Sequence, residues 1–242
     1  MKTLSSILFV FYFLIGFSQT SEEIVNISNE FLSTLSEETK SEVLRDFNDS
    51  LRTKWTNLPV GLAKRPGKKY GDLSDESKIK FHEVLTTVFS SQGYLKTTSI
   101  MQLDDMLNAR VDEAIEKKLI KEENISRIKA LDWDYNNYFI SIWGNPSLQT
   151  PWSLKFEGHH LSINLTIIKE EISFTPMFLG ADPSLMPSTK HVGLRVLSKE
   201  EDYGIKLINS FDESQQKIAT LSQDVPRDII TNPSNSQRIS EY

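Results

Sequence analysis

One stretch, residues 152–168, limits what this chain can fold into more than any other: Trp-Ser-Leu-Lys-Phe-Glu-Gly-His-His-Leu-Ser-Ile-Asn-Leu-Thr-Ile-Ile. Successive side chains of a β-strand point to opposite faces, so its apolar–polar alternation predicts a half-buried strand. On that pattern His159, Leu161, Ile163, Leu165 and Ile167 share one face, and His160, Ser162, Asn164 and Thr166 share the other. The first face is apolar with a histidine at its end. The second is a row of small, uncharged hydrogen-bonding groups. A solvent-exposed strand ordinarily carries Lys or Glu at some such positions. The row is therefore expected to be covered, by protein or by a ligand.

Helical patterns precede this strand. Phe31, Leu32 and Leu35 stand at helical spacing within 29–35, and Ser36-Glu37-Glu38-Thr39 opens a second helix expected to run to Trp55 and stop before Pro59. A basic Gly/Pro loop follows over 61–71, with Lys64, Arg65, Lys68 and Lys69; it is either a solvated connection or an anion-binding loop. A helix starting at Ser74 is expected to end at Gly93, and another to span 99–120 with Ile100, Leu103, Leu107, Val111 and Ile115 as its buried stripe. Beyond these, 138–143 reads as a strand ended by Gly144-Asn145-Pro146, 152–169 as a longer one, and 172–177 as its antiparallel return after a turn at Glu170-Glu171. A strand over 193–197 and helices beginning at Ser198 and Asp212 complete the pattern. The expected fold class is α+β, with N-terminal helices packed on an antiparallel sheet, organised as one domain over 19–223 and a loosely ordered tail over 224–242.

Residues 1–18 have the form of a signal peptide: Lys2, an apolar run over 7–17, and small residues Gly16 and Ser18 before a cut at Gln19. An uncleaved anchor is the alternative, but the run is short for a span, which takes about 20 residues. Export to the periplasm or the extracellular space is expected, with no membrane attachment after cleavage. Removal of 1–18 takes away one lysine and no acid, so the net charge moves from −6 to −7. A mildly acidic, mixed surface argues against nucleic-acid partners. With no cysteine, disulfides, thiolate nucleophiles and cysteine-held zinc are excluded.

The order of several segments carries a resemblance. Arg52…Trp55, Gly71-Asp72-Leu73, Gly93-Tyr94, Ile142-Trp143-Gly144-Asn145-Pro146, Gly158-His159-His160-Leu161-Ser162-Ile163-Asn164 and Thr175-Pro176…Phe178-Leu179-Gly180-Ala181 resemble the bacterial family catalogued as domain of unknown function 3500, over roughly 29–221. The resemblance implies an exported protein without an assigned activity. It also implies that relatives are usually longer, with a C-terminal half that adds Trp, Asp, Asn and His residues. Nothing past Leu221 resembles that half, so a short or partial form is expected.

Three chemistries suit the residues around the histidine pair. A divalent metal would need three or four converging ligands, for which His160, His191 and Asp182 are the candidates. Hydrolytic acid–base or nucleophilic chemistry would use His160 with Glu157 and Ser162. Glu157 falls on the His159 face of a continuous strand and reaches His160 only if Gly158 hosts a bulge. Glycoside hydrolysis would need paired carboxylates, and Asp132 and Asp134 flank Trp133 near Tyr135 and Tyr138. Against all three stands a non-catalytic binding or scaffold role. There Asn164, Thr166, Trp152 and Trp143 would line a neutral wall for a small molecule, a glycan or a protein.

Overall fold

The computed structural model describes residues 20–224; the expected signal peptide and all of the expected tail but Asp224 lie outside the described residues. Helices α1 (Ser21–Ser33) and α2 (Glu37–Val43) come first, and then a two-residue strand β1 (Leu44–Arg45). The short strand β2 (Lys68–Lys69) precedes the long helices α3 (Asp75–Val88) and α4 (Ser91–Glu116) and the short α5 (Glu122–Lys129). The central strands β3 (Phe139–Trp143), β4 (Trp152–Gly158) and β5 (Leu161–Ile168) follow, with β6 (Glu171–Ser173) and β7 (Phe178–Leu179) behind them. Helices α6 (Ser198–Asn209) and α7 (Glu213–Ala219) end the described chain. The sheet runs β1-β3-β4-β5-β6, with β2 added to β3 and β7 to β5; β1 pairs parallel and all other pairs are antiparallel. The fold is α+β, as the pattern predicts. Among the described residues no helix is long and apolar enough to cross a membrane.

Helix starts follow the capping chemistry of the sequence. The side chains of Thr20, Ser36, Ser74 and Ser90 each accept a hydrogen bond from a backbone N–H of the first turn they precede. Thr20 and Glu23 form a reciprocal capping box, which starts α1 eight residues before Asn29. Ser90 likewise corrects an expected boundary. The helix that begins at Ser74 ends at Val88, and Gly93 lies in the first turn of α4 rather than at a helix stop.

Two further expectations fail for physical reasons. The second helix does not reach Trp55, because Leu44 and Arg45 pair with Ile142 and Trp143 at the sheet edge. Carboxylates of Asp46 and Asp49 then accept hydrogen bonds from the N–H groups of Asn48 and Leu51, which turns the chain. Residues 46–66 therefore form a strap across the sheet. Residues 193–197 form no strand; the turn there folds back on Met186, whose carbonyl accepts from Gly193.

The sheet has two unlike faces. Ile140, Ile142, Trp152, Leu154, Phe156, Leu161, Ile163, Leu165 and Ile167 form one, buried against Ile24, Phe31, Phe81, Val84, Leu85 and Ile100 of the helices. Phe81 meets Phe156 at a centroid distance of 4.9 Å and Phe31 at 5.3 Å. Burying each such side chain stabilises by roughly 1.5–3 kcal/mol. The opposite face carries Ser141, Trp143, Ser153, Lys155, Glu157, Ser162, Asn164 and Thr166.

Candidate active site

The histidine pair does not lie within a strand. Gly158 pairs with Leu161, so β4 and β5 form a tight hairpin whose two turn residues are His159 and His160. This corrects the single strand expected over 152–169 and the placing of the two histidines on opposite strand faces. Gly158 is needed without any bulge: a Cβ there would fall 2.4 Å from Cδ1 of Tyr138, whose ring packs on the bare backbone. His160 takes φ of 58°, the left-handed region. Its N–H donates to the Asn57 carbonyl (3.3 Å), and its carbonyl accepts from Gly180 N–H (2.8 Å). The strap and the chain after β7 thus hold the turn from both sides.

The His159 side chain turns inward. Its Nδ1 lies 2.6 Å from Oδ1 of Asp104 on α4, and both residues are buried. The Tyr138 hydroxyl lies 3.1 Å from the other carboxylate oxygen of Asp104 and 3.0 Å from the His159 carbonyl. The ring of His160 rests on that of His159 with centroids 4.0 Å apart, and the Trp133 ring stands 6.2 Å from His159. The His160 Nδ1 atom is buried with no hydrogen-bond partner.

Burial sets the protonation of this group. It raises the Asp104 carboxyl, an effect that the hydrogen bond from His159 opposes. It pushes the His160 imidazole down to about 4, helped by His159 and opposed by the charge of Asp182. It raises the Tyr138 phenol well above its ordinary value, and Asp104 adds to that. At neutral pH His160 is therefore an uncharged imidazole, and its buried Nδ1 makes no hydrogen bond.

The polar sheet face adjoins the hairpin but is closed. Lys155, fully buried, donates to the carbonyls of Leu51 (2.8 Å) and Lys54 (2.5 Å) in the strap, and its Nζ stands 3.9 Å from Oε1 of Glu157. Burial lowers the Lys155 ammonium and raises the Glu157 carboxyl, while each opposes the shift of the other. Arg65 of the strap is also buried, and its guanidinium donates to the carbonyls of Thr56 (3.2 Å) and Gly158 (3.0 Å). The basic loop of 61–71 is thus no simple solvated connection at Arg65, because that charge is committed to backbone oxygens. Ser153 and Thr166 hydroxyls meet at 2.8 Å, and Asn164 Nδ2 donates to the Pro176 carbonyl at 2.8 Å.

The residues expected at a site are distributed as follows. Glu157, Ser162, Asn164 and Thr166 share the polar face, with Glu157 directly opposite Ser162 rather than beneath a histidine. The Asn164 amide nitrogen lies 3.5 Å from Ser162 Oγ. Trp143 is on that face too, with the Arg45 guanidinium 5.1 Å and the Lys155 ammonium 5.4 Å from its ring. Trp152 is on the other face, in the hydrophobic core. Asp182 acts on His160 through its charge, whereas His191 lines a separate cleft against α4 with Gln102, Asp105 and Met106. Among the described residues no three of His, Cys, Asp and Glu converge in a way that holds a metal ion, so His160, His191 and Asp182 form no ligand set. Sequence reasoning missed Asp104 as a site residue. Its signal was its place among Ile100, Leu103 and Leu107 on the apolar stripe of α4, where a carboxylate requires a partner.

A family model described as Protein of unknown function (DUF3500) matches residues 17–242, beyond both ends of the expected 29–221. The chain belongs to that family. No curated protein and no solved structure matches it.

Proposed function

We propose that this member of the DUF3500 family is an exported hydrolytic enzyme whose proton-transfer group is His159, oriented by Asp104, at the tip of the β4–β5 hairpin. The 2.6 Å contact between His159 Nδ1 and Asp104 Oδ1 carries the reading. A carboxylate that accepts the Nδ1 proton fixes the imidazole tautomer and leaves Nε2 as the base. Tyr138 holds that carboxylate from its other oxygen, which keeps the pair in register. In this role Nε2 takes a proton from water or a hydroxyl as it attacks, the imidazolium is stabilised by Asp104, and the proton then passes to the leaving group. His160, uncharged and stacked on His159, would back the His159 ring and limit its movement. No metal ion is required by this chemistry.

The test is a panel of nitrophenyl esters, glycosides and phosphates together with peptides, assayed on the chain starting at Gln19, beside His159→Gln and Asp104→Asn. Turnover of one class that falls about 100-fold or more in both variants, with circular dichroism unchanged, is expected for a general base. Turnover indifferent to His159→Gln would contradict the proposal, and so would a wild type inert on the whole panel, which would favour a binding or scaffold role. Export is tested separately by N-terminal sequencing of the secreted or periplasmic protein, where Gln19 is the expected first residue.

A further inference from the structure

A cavity of about 390 Å³ lies between the start of α4, the beginning of α6 and the β5 and β7 strands, and its lining does not include His159 or His160. Phe89, Ile163, Met177, Leu179 and Leu197 supply its apolar walls, and Lys96 and Glu200 stand at its rim. The sequence makes this space locally. Gly93 leaves the first turn of α4 without a side chain where the Phe89 ring packs, and the Thr97 hydroxyl is turned onto the Gly93 carbonyl at 2.9 Å. The volume falls within the roughly 300–1,000 Å³ typical of small-molecule pockets, which are apolar with a few placed polar groups.

We infer that this cavity is a binding site for an aliphatic carboxylate, with the alkyl chain among Phe89, Ile163, Leu179 and Leu197 and the carboxylate on Lys96. The placement of Lys96, the less exposed member of the rim pair, suits a carboxylate head group. Lys96 and Glu200 form an ion pair across the rim, in which the lysine side chain is 26% exposed and the glutamate 49%. The cation is the deeper group and the carboxylate the more solvated, so an incoming carboxylate replaces Glu200 without stripping Lys96 of a partner. Exchanging one carboxylate for another keeps a charge-assisted hydrogen bond, while the alkyl chain gains by leaving water. The polar sheet face is instead covered by the strap, through Lys155 and Arg65. The inference is independent of the hairpin chemistry.

Isothermal titration with decanoate and with decanol, below their aggregation limits, tests it on the chain starting at Gln19. Wild type is expected to bind one decanoate saturably. Lys96→Gln, at a surface position, should weaken decanoate tenfold or more and leave decanol within about twofold. Leu197→Trp, which fills the cavity from its mouth, should weaken both tenfold or more. Unsaturable decanoate uptake by wild type, equal loss of both ligands in Lys96→Gln, or unchanged binding in Leu197→Trp would each overturn the inference.

Discussion

The two faces of the sheet are both buried, yet they are closed by opposite means. One is sealed by helices mainly through apolar side chains such as Phe31, Phe81 and Phe156, and meets buried charge at its hairpin end, where Asp104 of α4 holds His159. The other is sealed by an irregular strap that reaches down to meet charges: Lys155 on two carbonyls, Arg65 on others, and Glu157 beside both. Apolar contact is non-directional and tolerates small shifts, whereas a buried ammonium is stable only while its acceptors stay in place. The strap is therefore fixed by the sheet beneath it. The strap in turn fixes the hairpin, because Asn57 accepts from His160 and Arg65 from the strap reaches Gly158. The difference teaches that this chain spends buried charge where it needs a precisely held turn.

Phe156→Ala should have the largest effect on this comparison. It removes the ring that packs on Phe81 and, at 5.7 Å, on Tyr138, and should lower unfolding free energy by about 3–5 kcal/mol in denaturant melts. A loss below about 1 kcal/mol would mean that the helix-covered face is not the main core.

On the polar side, Lys155→Ala should cost about 3 kcal/mol, since it leaves Glu157 buried beside an empty space and two strap carbonyls without a donor. The pair Lys155→Met with Glu157→Gln should recover the part due to the unpaired Glu157 and not the part due to the two strap carbonyls. If the single and the paired variants are equally stable, the charges do not act as a unit and the contrast between the faces weakens.

The hairpin was partly legible. In β4 the apolar positions are even-numbered (Trp152, Leu154, Phe156), and in β5 they are odd-numbered (Leu161, Ile163, Leu165, Ile167). The phase slips across Gly158-His159-His160, which is the mark of a turn, yet no Asn-Gly or Asp-Gly pair announces one. Assignment of the β5 faces survives because Ser162, Asn164 and Thr166 do share a side. The coverage of that side was legible from the lack of Lys and Glu among its β5 residues Ser162, Asn164 and Thr166, but its cover was not. Nothing local in 46–66 predicts that a run of helical appearance becomes a strap, because the deciding contact is between Leu44–Arg45 and a strand about a hundred residues away. The Asp104–His159 contact spans a sequence separation of 55 and leaves no periodic trace other than an acid on an apolar stripe.

A smaller, pH-dependent effect belongs to His160. Its folded value of about 4 lies below the ordinary 6.5, so the fold favours the neutral ring. Its contribution is present above pH 6.5 and is lost as pH falls toward 4, on the order of 2–3 kcal/mol in all. His160→Asn tolerates the left-handed backbone and does not titrate. Relative to wild type it should flatten the stability profile between pH 6.5 and 4; the same slope in both proteins would show that His160 is not the group responsible. The raised carboxyls of Asp104 and Glu157 act in the opposite sense in both proteins, and so cancel in the comparison. Smallest of all, Trp55→Ala removes a ring stacked on Phe178 at 5.1 Å and should cost about 1 kcal/mol with faster amide exchange in the strap.

The most direct test of the central claim is the tautomer of His159, read from long-range ¹⁵N–¹H correlations of the imidazoles at neutral pH in wild type and Asp104→Asn. The account predicts a proton on Nδ1, shifted far downfield by the Asp104 carboxylate, with Nε2 unprotonated, and loss of that downfield signal in the variant. A proton on Nε2, or a His159 signal indifferent to Asp104→Asn, would contradict it.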